Sequence, residues 1–125
     1  MSTTRVAILG LGLIGGSLGL AFRAATAERI HVTGYARRPE TLELALALGA
    51  VDAVAATPEQ AVAEADFVFL CTPVLQMLPV AQRALPHMKP GAVLTDAGST
   101  KRWFAEAIRP LLPVGIRYIG GHPMA

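Results

Sequence analysis

Three groups of residues in this 125-residue chain have types and spacings that could do chemistry. The first is Gly10-Leu11-Gly12-Leu13-Ile14-Gly15, a G-x-G-x-x-G turn directly behind the apolar run Val6-Ala7-Ile8-Leu9. Four apolar residues in a row suit a strand buried on both faces. Gly10 permits a tight strand-to-helix turn, Gly12 lets backbone approach a ligand without a Cβ in the way, and Gly15 lets the new helix pack against the sheet. The free N–H groups of the first helical turn, from Leu13 and Ile14 onward, and its positive dipole end suit a pyrophosphate. A turn of this kind, strand before and helix after, is the fingerprint of a dinucleotide site.

The second group is Ala36-Arg37-Arg38, at the end of the β-branched run Ile30–Tyr35. An acidic residue about 20 positions past the glycine turn ordinarily holds the adenosine ribose hydroxyls of NAD. Ala36 stands there instead, and two guanidiniums follow it, offering forked donors to a 2′-phosphate and a face to stack on adenine. NADP is therefore expected over NAD, with Arg37 the more important arginine. The third group is Asp96-Ala97-Gly98-Ser99-Thr100-Lys101 together with Gly120-Gly121-His122-Pro123-Met124. In a strand-end loop the imidazole of His122, with pKa near ~6.5, can accept a proton from a substrate hydroxyl.

Each group has a plainer alternative. Arg37 and Arg38 could be solvated loop charges, and Ser99 a helix N-cap. Val6–Phe22 is 17 residues without a charge, with Gly12 and Gly16 at GxxxG spacing, which raises a membrane helix. Arg5 ahead of that run and Ala25-Thr26-Ala27 behind it raise a secretory signal. Five glycines and Ser17 within the run, and the further strand and helix patterns that need it as a neighbour, favour the nucleotide turn.

Composition narrows the class. Hydrophobic content of 53% and charged content of 16% fit one α/β domain with a sheet covered on both sides. The formal net charge is +2 and the longest basic run is Arg37-Arg38, so neither nucleic acid nor membrane is an expected partner. One cysteine, Cys71, excludes an internal disulfide and fits a reducing cytoplasm. Within the apolar run Phe67–Cys71 it reads as a structural thiol rather than a nucleophile. No metal site is expected.

The elements that must position these groups follow in order. Helices are expected over Leu13–Thr26, from Pro39 to a stop at Gly49, from Pro58 to near Ala65, over Pro73–Met88 with Pro79 inside, and over Lys101–Leu111. Strands are expected at Ile30–Tyr35, Val51–Ala55, Asp66–Cys71, Ala92–Asp96 and Arg117–Ile119. Thr57-Pro58-Glu59-Gln60 reads as a capping box, and Thr72-Pro73 as the cap of the next helix. His31 reads as a strand-edge histidine and His87 as a helix-end one. Alternating strands and helices give a doubly wound, mostly parallel α/β sheet, a Rossmann dinucleotide-binding fold, in the order 3-2-1-4-5-6. Gly10–Gly15, Ala36–Arg38, Cys71–Val74, Asp96–Lys101 and Gly120–Pro123 then share the carboxyl edge of the sheet.

Taken together, GLGLIGGS (Gly10–Ser17), DAGSTK (Asp96–Lys101) and GGHPMA (Gly120–Ala125) resemble the prephenate/arogenate dehydrogenase family of tyrosine biosynthesis. The resemblance covers the whole chain but only the N-terminal portion of the family's pattern. It implies that residues 1–125 are a dinucleotide-binding domain, and that the helical domain supplying dimer contacts and much of the substrate pocket is absent. It further implies oxidative decarboxylation of a cyclohexadienol: hydride passes to the nicotinamide, carboxylate leaves as CO2, and the ring becomes aromatic. By the same analogy His122 takes the hydroxyl proton or its hydrogen bond, and Ser99 orients that hydroxyl or the nicotinamide. Cys71, Thr72 and Pro73 line the cofactor groove, and Lys101 belongs to the motif without a derivable role. The implied partners are a small substrate, prephenate or arogenate, and a second copy in a homodimer. The arginine pair departs from the NAD-using members and leaves arogenate open as substrate. Two other functions stay open: a different NADP-dependent reductase, and a non-catalytic nucleotide-sensing module. The chain by itself is expected to bind cofactor and turn over little or nothing.

Overall fold

The computed structural model describes residues 3–26, 29–96 and 101–120. Its first strand, β1 (Thr4–Leu9), passes through the glycine turn into α1 (Leu13–Thr26) and on to β2 (Ile30–Tyr35). Then come α2 (Pro39–Ala47), β3 (Ala53–Ala55), α3 (Pro58–Val62), β4 (Phe67–Leu70), α4 (Val74–Ala84), β5 (Val93–Asp96), α5 (Lys101–Ile108) and β6 (Arg117–Gly120). The strands form one parallel sheet in the order β3-β2-β1-β4-β5-β6. This is the expected doubly wound order, with its reversal between β1 and β4.

The two-residue period of a strand explains the two-sided core. Ala7 and Leu9 of β1 join Val68, Leu70 and Leu94 under α4 and α5, against Met77, Ala81, Phe104 and Ile108. Val6 and Ile8 face the other way and join Val32, Leu18, Phe22 and Ala45 under α1 and α2. Phe104 and Ile108, one helical turn apart and both fully buried, anchor α5. At the amino edge of the sheet the Asp66 carboxylate accepts from the Arg5 amide at 2.8 Å and pairs with Lys89 at 2.8 Å. The first of these contacts, then the second, holds its pKa below the ordinary carboxylate value.

Some boundaries differ from the sequence expectation. The third strand starts at Ala53 instead of Val51, because Asp52 turns its carboxylate to the Val32 amide at 2.8 Å. The third helix ends at Val62 and not near Ala65. The helix expected over Pro73–Met88 divides into α4 and a 3-10 turn, Leu85–His87, in which Pro86 enforces the change. Pro79 does not break α4: it and Leu75 are exposed, so the carbonyl left without its amide partner lies on the solvent side. Thr57 does cap α3, its hydroxyl accepting from the Gln60 amide at 3.2 Å, and the Gln60 side chain accepts from the Ala56 amide at 3.3 Å. Among the described residues no helix is long and apolar enough to cross a membrane.

Helix α1 lies hard against the turn between α2 and β3. A Cβ on Gly19 would stand 2.2 Å from the carbonyl oxygen of Ala50, whereas one on Gly16 would meet nothing within 4 Å. Gly19→Ala is therefore expected to destabilise the fold by about 3 kcal/mol through overpacking. Gly16→Ala should stabilise it by roughly 0.5–1 kcal/mol, since alanine restricts the unfolded chain and suits a helix. Urea unfolding of the two variants measures the contrast, and equal effects would refute it.

Candidate functional site

The strands end level with one another. Ala55, Tyr35, Leu9, Leu70, Asp96 and Gly120 pair in a single line across the sheet. The residues that follow them, Gly10, Ala36 and Cys71 among the described ones, therefore share the carboxyl edge, where ligands of such sheets bind. Sequence order scatters these segments over more than 100 positions, and parallel register brings them to one line.

At the switch point the glycine turn is shaped by backbone contacts. Gly10 has φ +105°, and a Cβ there would stand 2.8 Å from backbone atoms of Cys71 and Thr72. Its amide donates to the Tyr35 carbonyl at 2.8 Å, and the Cys71 amide donates to the Leu9 carbonyl at 2.8 Å, which ties the three strand ends together. A Cβ on Gly15 would stand 2.0 Å from the Gly10 oxygen, so only glycine lets α1 begin this close to β1. Gly12, by contrast, is exposed and a Cβ there would meet nothing within 4 Å. The space over Gly12 beside the start of α1 is open, which is what close approach of a phosphate needs. Of Leu13, Ile14 and Lys101 only the backbone is described, at the first turns of α1 and α5.

On the β2 side, Ala36 is half-buried against the α1–α2 core, while Arg37 and Arg38 are exposed. Arg38 occupies the N-cap position of α2 with extended backbone and no side-chain cap bond. Neither guanidinium has to be taken from a core to meet a ligand.

On the β4 side one expectation is corrected. Thr72 does not cap α4: Pro73 holds the N-cap position with ψ 151°, no side chain caps the helix, and the buried Thr72 hydroxyl has no hydrogen-bond partner. Its backbone does lie close to Gly10. Cys71 is half-buried, and burial followed by the charge of Asp96 pushes its thiol up to about 11.

The Asp96 carboxylate is a functional candidate whose setting the sequence did not reveal. Asp96 is 3% exposed at the end of β5, and its Oδ2 accepts a hydrogen bond from the Tyr118 hydroxyl of β6. Tyr118 was not singled out at all; its position two residues before the strand end, on the Asp96 face, was the available signal. The two catalytic candidates, Ser99 and His122, lie outside the described residues. Among the described residues no group of three His, Cys, Asp or Glu could hold a metal ion.

Comparison with known proteins gives a consistent picture. The family described as "Prephenate dehydrogenase, nucleotide-binding domain" matches residues 18–125. Prephenate dehydrogenase of Bacillus subtilis is 35% identical over 122 residues, covering 96% of this chain and 32% of that protein. The structure of Synechocystis arogenate dehydrogenase is similar with a TM-score of 0.85 and 33% identity, covering 96% of this chain and 41% of that one. Prephenate dehydrogenase from Aquifex aeolicus, solved with hydroxyphenyl propionate and NAD+, has a TM-score of 0.85 and 28% identity, covering 99% of this chain and 43% of that one. The chain thus spans about a third to two fifths of the length of these relatives.

The Cys71 environment makes a direct prediction. With its pKa moved from 9.0 to about 11, the thiol at pH 7.5 holds about a hundredfold less thiolate than an ordinary cysteine. Its reaction with a disulfide reagent should be slower by about that factor and should still be climbing at pH 10. Labelling of the folded chain at the rate of a free thiol would refute this environment.

Proposed function

The chain belongs to the prephenate dehydrogenase family, as its nucleotide-binding domain, and from that premise we propose that it binds NADP in preference to NAD. In the full-length protein it would serve oxidative decarboxylation of prephenate or arogenate. The observation that carries the cofactor reading is the pairing of two features on one edge. Gly10 and Gly15 set the open turn beneath α1, and one strand away Ala36-Arg37-Arg38 replaces the carboxylate an NAD site would use. A carboxylate there would repel a 2′-phosphate, whereas exposed guanidiniums can grip it with two parallel hydrogen bonds.

The residues present fit such a cofactor. Gly12 and the backbone N–H groups at Leu13 and Ile14 would face the pyrophosphate, and Arg37, assisted by Arg38, the 2′-phosphate. The backbone from Cys71 to Pro73 would line the groove beyond. The bound cofactor supplies a hydride acceptor. His122 would take the proton of the substrate hydroxyl, Ser99 would orient that hydroxyl or the nicotinamide, and Lys101 would stand at the same edge. The remaining length of the relatives is where we place the substrate's side-chain and carboxylate recognition. Exposed Trp103, Leu111 and Ile119 on the β6 side support a homodimer formed through that region.

Side-by-side titration of the chain with NADP and NAD tests this reading. NADP should bind at least about tenfold tighter, and Arg37→Ala should cost NADP roughly ten- to a hundredfold while leaving NAD unchanged. Equal binding of both removes the arginine argument, and binding of neither overturns the cofactor assignment. In a chain of the relatives' length, His122→Ala should abolish turnover and retain NADP binding; full activity would exclude its catalytic role.

A further inference from the structure

Strand β6 is the edge of the sheet and is thinly held. Of its four residues Arg117, Ile119 and Gly120 are exposed, and Tyr118 is the one buried side chain. Tyr118 is therefore the main side-chain anchor of the strand. Its ring stands edge-on to Phe104 of α5 at 5.7 Å and lies under the Arg109 guanidinium at 5.6 Å. Its hydroxyl reaches diagonally across the sheet to Asp96, since Tyr118 pairs with Leu94 and Asp96 is two residues further along the same face.

Packing explains the ring but not the hydroxyl. A phenylalanine would fill the same space against Phe104, whereas the hydroxyl ties β6 to the last residue of β5. That bond lies at the carboxyl edge, where Asp96 pairs with Gly120. If the 2′-phosphate lies at the end of β2, a dinucleotide crossing the switch point sends its nicotinamide half toward β4, β5 and β6. We propose that Tyr118 is a positioning residue for that half of the site, its hydroxyl fixing the ends of β5 and β6 relative to each other through the Asp96 carboxylate. The inference rests on the dinucleotide reading above. Burial, the bond to Asp96 and the charge of Asp96 all push the Tyr118 hydroxyl up from its ordinary value, so it remains a donor throughout the neutral range. The segments carrying Ser99 and His122 follow Asp96 and Gly120 directly in the chain.

The test separates the two halves of the ligand on the 125-residue chain. Adenosine 2′,5′-bisphosphate probes only the glycine-turn and arginine side, and NADP probes both sides. Tyr118→Phe should leave the bisphosphate affinity within about twofold of wild type and weaken NADP by roughly five- to tenfold. A purely structural role for Tyr118 would weaken both ligands alike or neither, and either result overturns the proposal. Wild-type chain that binds neither ligand overturns the cofactor reading and this inference with it. If Tyr118→Phe does not fold, amide exchange on the wild-type chain decides. NADP should slow exchange at Ile119 and Gly120 more than the bisphosphate does, and equal protection by both overturns the proposal.

Discussion

A methyl group on residue 15 would stand 2.0 Å from the carbonyl oxygen of Gly10, and the rest of the structure depends on its absence. Because α1 can start directly against the end of β1, its first-turn N–H groups open at the sheet edge and not several ångströms above it. The same closeness lets Gly10 donate to Tyr35 and brings the Cys71–Thr72 backbone against Gly10. Three strand ends are thereby locked in one line. The parallel register then carries that alignment outward to Asp96 and Gly120. A side chain at residue 15 would move the helix, and with it the place where, among the described residues, the ends of β2, β1 and β4 meet.

The elements around this contact were legible in the sequence because local and tertiary signals agree there. Leu13–Thr26 and Ile30–Tyr35 form as read, and so does the strand order, since glycine spacing, apolar runs and crossover handedness all favour one arrangement. The two Thr-Pro dipeptides show where agreement ends. Thr57-Pro58 begins a helix as its local chemistry dictates, with the threonine as cap. Thr72-Pro73 has the same local chemistry, but its backbone lies close against Gly10 from the neighbouring strand, and the helix starts one residue later with the hydroxyl unpaired. Close tertiary packing of Gly10, 62 positions earlier in the chain, here coincides with the loss of a cap that contributes on the order of 1 kcal/mol.

The same distinction explains what was missed in the site. Arginines 37 and 38 are legible as candidates because they are charges on an exposed loop, and charge is visible in sequence. The Asp96–Tyr118 pair is not, because each partner alone has a commonplace explanation, a strand-end carboxylate and an aromatic in a strand. Only the β5–β6 register, which sets Tyr118 beside Leu94, makes them diagonal neighbours. Tyr118 also serves the core through Phe104, so its hydroxyl is hidden behind an ordinary packing role.

These two devices impose different constraints on the ligand edge. An exposed guanidinium on a loop costs little to carry and contributes little to stability, so the β2 side can change its charge without disturbing the sheet. A carboxylate 3% exposed is costly unless every change keeps a donor on it, and Tyr118 is one such donor. Under the proposed reading, cofactor choice falls where substitution is cheap, and the geometry beside β5 and β6 where substitution is expensive. Under the dinucleotide reading this suits a domain that must tell two cofactors apart by one phosphate while keeping the reacting end of either in the same place.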